Sequence, residues 1–426
     1  MIRKPKDNEY KLIKCGKLFD GIQEALLENM EILVQGEKIK AVGKDLQHPQ
    51  DAEIIDLSDC TVTPGMIDAH THLTFYEWSN RKYETVFNSP VYKSMAVLYN
   101  AERALRRGFT TLRHMGGNSD DGYGALDAKR SINEGYFAGS RLCVLPYVQC
   151  TVGSHGDSSQ QAMKNPALAG YLCSTYPAMG SGVDFFRNSV REQVKLGADF
   201  VKLMSAGGFS TPNDSPDDEQ MSDEEMQVII ETAHKLYKKC TAHVYAAPSM
   251  IKLANMGIDE LQHCSLMTEE SLELLEKKNI PIVPTFSPYE EIIHLDEAKL
   301  AQKDAAFQAK MRQYEARLRR GRELIVNSNL KLGYGSDLVT VYRSYHGAVE
   351  YSSMMNSGVP AFRILKAATS VNAELLEMDD IGSIREGKLA DIAAWRRDLL
   401  HDPDALKECA FVMKGGVVFE TEPFED

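Results

Sequence analysis

The chain has 426 residues, 43% of them hydrophobic, enough for one large domain or for a barrel with a small companion. A net charge of −13 argues against a nucleic-acid or anionic-membrane partner, and no apolar run approaches the roughly 18 residues of a membrane span. The start MIRKPKDNEYKLIK has no signal-peptide core, and eight scattered cysteines without a CxxC fit reduced thiols in a cytoplasm.

Residues 10–14, 30–34, 38–42 and 54–57 read as short strands between Gly or Asp/Asn turns, with a hairpin tip at Gly36. The far end behaves alike. Residues 390–395 and 410–414 are strand-like, and Gly415-Gly416 turns the chain into 417–419. Two β-rich ends (1–60 and 381–426) around a long middle predict a small β-sandwich domain built from both termini.

The middle, 61–380, alternates strand and helix. TVTPGMIDAHTHL (61–73) opens it, followed by strand-like runs at 110–113, 141–145, 199–204, 240–244, 260–263, 281–284 and 331–334. Helices are expected at 94–107 and at 222–239, the second opening with the capping box Ser222 to Glu225. A third helical pattern is the charged run 296–325, polar on most faces and expected to be solvated, as a lid or excursion. Eight strands alternating with helices predict a (β/α)8 (TIM) barrel, in which chemistry sits where strands end and loops begin.

Several residues fall at such ends. His70 and His72, two apart on a strand, project the same way and make half a metal site, or are two unrelated polar residues. Lys202 lies among apolar neighbours in the fourth strand. It is either a salt-bridged or snorkelling lysine, or a desolvated amine able to react with CO2 into a carbamate that bridges two metals. His243 ends the fifth strand, His263 the sixth, and Asp337 the eighth unless it only caps a helix. Their convergence on one barrel mouth suits zinc or a similar divalent ion. His48, His234, His294 and His401 are read as exposed, and His346 as a residue that lines the pocket or does not.

PGMIDAHTH, FVKLMSAGG, TAHVYA, ELQHCS, YGSDL and IGSIREGKLADIAAW resemble the amidohydrolase superfamily, in particular its imidazolonepropionase- and prolidase-like dipeptidase branch (Xaa-Pro dipeptidases and Xaa-Arg/Lys carboxypeptidases). The resemblance covers nearly the whole chain. It implies a (β/α)8 barrel with a terminal β-sandwich and two divalent ions, zinc first among zinc, manganese and cobalt. His70, His72 and Asp337 would hold one ion, His243 and His263 the other, with carboxylated Lys202 bridging both. His155, in Gly-Ser-His-Gly where the family tends to have Gly-Gly-His-Gly, and Tyr245 would hold or polarise the substrate carbonyl. Arg113-His114 replaces the family's usual Arg-Asp after the second strand.

The expected reaction is metal-assisted amide hydrolysis with Asp337 as proton shuttle, releasing a C-terminal amino acid from a dipeptide or N-acyl amino acid. Arg343, with Arg113 second, is the candidate partner of the substrate's α-carboxylate, each being otherwise a surface or structural arginine. Rival readings are a cyclic-amide hydrolase, a deaminase, a hydrolase of an aromatic N-acyl amino acid such as a mycotoxin, and a non-catalytic metal-stabilised scaffold. Homo-oligomer contacts, where present, are expected on exposed barrel helices.

Overall fold

A computed structural model of the chain describes residues 2–74, 89–116, 122–157, 159, 165–174, 176–209, 211, 213–288, 301, 305–338 and 344–424. Both ends of the chain enter one seven-stranded sheet. From the N-terminal side come β1 (Tyr10–Leu18), β2 (Leu27–Gln35), β3 (Lys38–Gly43) and β4 (Glu53–Pro64). The C-terminal side adds the strands Ile392–Trp395, Cys409–Lys414 and Val417–Phe419. The strand order is Val417–Phe419, Cys409–Lys414, Ile392–Trp395, β4, β1, β2, β3, antiparallel except for β1 beside β4. The expected terminal sandwich is thus a single large sheet among the described residues. The reason is the length of β4, whose twelve residues take β1 on one edge and Ile392–Trp395 on the other. The turn at Gly415-Gly416 has both residues at positive φ (54° and 73°), as a two-residue hairpin of this twist requires.

Gly65 alone separates β4 from β5 (Met66–Thr71). Then follow β6 (Phe109–His114), β7 (Arg141–Val144), β8 (Val201–Met204), β9 (Cys240–Ala246), β10 (Glu260–Leu266) and β11 (Ile282–Val283). They form two parallel sheets, β5-β6-β7 and β8-β9-β10-β11, rather than one eight-stranded ladder. Pro281 and Pro284 offer no N–H and confine β11 to two residues. The expected eighth strand, 331–334, makes one bridge, Leu332 to Ile282. Backbone hydrogen bonds connect the sheets at both seams. Gln149 N donates to Lys202 O and Met204 N to Gln149 O at one, and Gly333 N to Ile282 O and Ala69 N to Tyr334 O at the other. The strands are buried on both faces, as parallel strands under covering helices are.

Helix Pro90–Arg106 starts earlier than its apolar periodicity alone suggests, because Ser89 caps it and Pro90 opens it. Helix Asp223–Lys235 has the expected capping box and stops before residue 239, where Tyr237 turns left-handed (φ 55°). The charged run corrects most. From Ala305 to Asn327 it is the expected helix, but not one solvated all round: Met311, Tyr314 and Leu318 bury one stripe against Phe209, Tyr245 and Leu266. No helix among the described residues is long and apolar enough to cross a membrane.

Trp395 joins the terminal sheet to the core. It is fully buried in the cluster that holds Leu105, Phe109 and Tyr334, and its indole N–H donates to Thr63 Oγ1 at 3.0 Å. Trp395→Ala should cost about 3–5 kcal/mol of stability, read as a lower denaturation midpoint in urea, and Trp395→Phe clearly less.

Candidate metal centre

β5 ends at a cluster of imidazoles. His70 and His72 have ring centroids 5.4 Å apart. Each uses Nδ1 to bond the protein: His70 to Gln262 Oε1 at 2.6 Å, His72 to the Gly116 carbonyl at 2.7 Å. Both acceptors fix the Nδ1–H tautomer and leave the Nε2 lone pair inward. Asp337 Oδ1 lies 3.3 Å from His70 Nε2 and 3.6 Å from His72 Nε2. Its backbone is left-handed (φ 45°), and its N–H donates to the His70 carbonyl at 2.8 Å. All three ligand atoms lie within 4.8 Å of one another.

A second pair sits beside them. His243 from β9 and His263 from β10 have centroids 4.6 Å apart, and His263 is 5.0 Å from His70. His263 Nδ1 bonds Thr285 Oγ1 at 2.8 Å and lies 3.7 Å from Asp337 Oδ2. His263 and Cys264 are both left-handed (φ 67° and 55°), and the β9–β10 register shifts there. That break in alternation lets the adjacent Gln262 and His263 both serve the site. Lys202, 1% exposed on β8, places its Nζ 3.4 Å from His70 Nε2.

Electrostatics sharpen the picture. Burial pushes all four imidazoles well below their ordinary range, and the Lys202 charge adds to this at every one of them. Burial also lowers the Lys202 amine, to about 8, with Asp337 opposing. Asp337 is raised by burial, to about 7, with Lys202 opposing. Neutral imidazoles, a carboxylate and an amine that readily loses its proton are the donor set of a borderline divalent ion, so the residues present fit one.

The other expected residues divide. His155 stacks on His243 at 4.9 Å, and Tyr245 lies 4.7 Å from His243 and 5.1 Å from His263, so both stand at the cluster. Arg113 does not. It is buried below the cluster, donating to the Ala69 carbonyl and to both oxygens of Glu260, with its guanidinium over Phe200. Arg343 and His294 lie outside the described residues. His114 is buried, accepts from Leu73 N at 3.2 Å, and its ring is 6.4 Å from His72. His346 packs on Phe424.

Residues that the sequence does not single out are Asp68, Gln262 and Glu260, the last two linking His70 to Arg113. Gln262 donates to Thr241 Oγ1 and to Glu260 while accepting from His70. Nothing in the sequence marks Gln262, because its strand also carries Glu260, His263 and Ser265.

The amidohydrolase family profile matches residues 61–419. The chain belongs to the amidohydrolase family. As a member it is a hydrolase acting on carbon–nitrogen amide bonds. Along its length this amidohydrolase is 26% identical to ochratoxinase of Aspergillus niger over 435 aligned residues, covering 96% of this chain and 86% of that protein. The crystal structure of A. niger ochratoxinase superposes with a TM-score of 0.84 at 24% identity, covering 98% of this chain and 97% of that one. A Xaa-Pro dipeptidase with methionine bound in its active site gives 0.83 at 24% identity, covering 97% and 100%. The fold is that of the superfamily's prolidase-like members.

Because Gln262 holds the His70 tautomer, Gln262→Leu in this amidohydrolase should weaken divalent-ion binding by about 10–100-fold, measured by chelator competition, while the fold is retained.

Proposed function

We propose that this amidohydrolase is a binuclear metalloenzyme that cleaves a dipeptide or N-acyl amino acid and releases the C-terminal amino acid. The observation that carries the reading is Lys202. It is a fully buried amine whose charge reaches all four imidazoles and Asp337 at once. As an ammonium it repels every ion that those residues would hold. Attack of the neutral amine on CO2 forms an N–C bond, releases a proton and leaves an anionic carbamate with two oxygens, which reverses that conflict. The two parallel sheets are then arcs of one (β/α)8 barrel, a reading supported by the backbone hydrogen bonds at both seams.

His70, His72 and Asp337 would hold one ion and His243 and His263 the other, with the Lys202 carbamate shared. Bound there, two divalent ions, zinc by preference, supply polarisation of the substrate carbonyl and acidification of a water. Asp337 accepts the proton as the water oxygen bonds to the carbonyl carbon, and returns it to the nitrogen as the C–N bond breaks. An amine is a poor leaving group without that proton. His155, held through Nδ1 by Asp214, serves the carbonyl oxygen through Nε2 as charge develops there. Tyr245 flanks the same face.

Arg113 is engaged by Glu260, so the α-carboxylate is assigned to Arg343 or to backbone N–H groups. The match to ochratoxinase over 96% of the chain favours a second reading, in which the substrate is an aromatic N-acyl amino acid of mycotoxin type. The seven described cysteines are free and buried, which supports a reducing compartment such as the cytoplasm.

Purified protein should contain about two equivalents of divalent metal, and Lys202→Ala clearly less. One equivalent or none, unchanged by the mutation, overturns the bridged site. A panel of Xaa-Pro, Xaa-Arg and N-acyl amino acids then separates the substrate readings. In kcat, Asp337→Ala should lose at least about 10³-fold and His155→Ala about 10²-fold. Near-normal turnover by Asp337→Ala excludes the shuttle.

A further inference from the structure

The ring of His155 is held on three sides. One face stacks on His243 at 4.9 Å with an interplanar angle of 17°. Gly208 lies against it closely enough that a Cβ there would stand 2.1 Å from His155 Cε1 and 2.5 Å from Nδ1. No side chain fits that gap, so the glycine is required by the ring and not by its own backbone angle. At the Nδ1 edge stand Asp214 Oδ2, 3.0 Å away, and Thr211 Oγ1, 2.9 Å away.

Asp214 is itself fixed from outside the loop. Lys310, on helix Ala305–Asn327, donates from Nζ to Asp214 Oδ1 at 3.0 Å, to the Gly208 carbonyl at 2.9 Å and to the Thr211 carbonyl. Gly208 N–H donates to the Asp214 oxygen that faces His155, at 3.2 Å. The Asp214 side chain is only 3% exposed. Burial would raise its carboxyl, but the hydrogen bonds from His155 and Thr211, the His155 charge and Lys310 overcome this and bring it to about 2. It is a carboxylate at neutral pH, and a carboxylate can only accept. It therefore selects the form of His155 that carries a proton on Nδ1 and presents Nε2 to the site.

We propose that Asp214, clamped by Lys310, is the positioning residue of His155, and that helix Ala305–Asn327 acts on the active site through this pair. The inference rests on the hydrolase reading for the role of His155 but not for its orientation. A carboxylate that only braced its own loop would have no need to share the oxygen bonded to Gly208 with an imidazole. Nor would a helix that only covered the barrel need a partly buried ammonium reaching into the turn that carries Asp214.

The test is a double-mutant cycle on the metal-loaded enzyme, with crystal structures of the variants. Asp214→Ala should lower kcat by about 10–100-fold with KM changed much less, and Asp214→Asn, which keeps an acceptor, should recover part of the loss. Lys310→Met should show a smaller loss in the same parameter. In a His155→Ala background Asp214→Ala should cost nothing further. The crystal structure of Asp214→Ala should show the His155 ring rotated, with metal content unchanged. Additive losses, or a ring left in place in both Asp214→Ala and Lys310→Met, overturn the proposal. Should the wild type cleave no amide while the ring still rotates in the variants, the reaction assigned above is wrong and the positioning role stands.

Discussion

The arrangement of the centre depends on one buried carboxylate. Asp68 accepts from the backbone N–H groups of His70 and Ser336 on Oδ1, at 3.0 and 3.1 Å, and from the hydroxyls of Ser336 and Tyr345 on Oδ2, at 2.6 and 3.0 Å. It thereby ties the end of β5 to the turn that carries Asp337, two segments far apart in sequence. The left-handed backbone at Asp337 is an uncommon conformation for a residue other than glycine, and the neighbouring bonds hold it there. Burial raises the Asp68 carboxyl, to about 6, while its four donors pull the other way. Without this acceptor the polar groups around it would be buried with no partner.

The imidazoles follow the same logic one layer out. His70 rests on Gln262, His72 on Gly116 and His263 on Thr285, each through its Nδ1. Beneath Gln262 lies the Arg113–Glu260 pair, each partner about 3% exposed. A buried ion pair of this kind contributes little net stability, yet losing one partner strands the other at about 3–5 kcal/mol. Its evident use is geometric, since Glu260 accepts from the amide whose oxygen orients His70.

Much of this was legible in the residues. The histidine and aspartate candidates are polar residues at or near strand ends and Lys202 is a charge inside an apolar strand, all local patterns, and the two hairpin turns and the Ser222 capping box are local as well. What escaped was non-local. Whether the chain ends form one sheet or two depends on which edges of β4 they find, and no residue states that. The helix Ala305–Asn327 looked solvated by its count of charges, but Met311, Tyr314 and Leu318 recur at helical spacing on one face. Of the two readings of Arg113, a partner of the substrate carboxylate or a structural arginine, the structure shows the second. Its partner Glu260 lies 147 residues away and carries no sequence signal of the pairing.

The passage from β4 to β5 through Gly65 has a consequence for the order of events in synthesis. A Cβ at Gly65 would fall 2.2 Å from Thr110 Oγ1, so the chain crosses there with no slack. The strand that bears His70 is thus the direct continuation of a strand whose outer edge waits for residues 392–395. Every candidate ligand has been translated by residue 337, but the sheet that carries the first of them is incomplete until some 55 residues later. The nascent chain therefore carries every candidate ligand before it has the strand that completes the edge of β4.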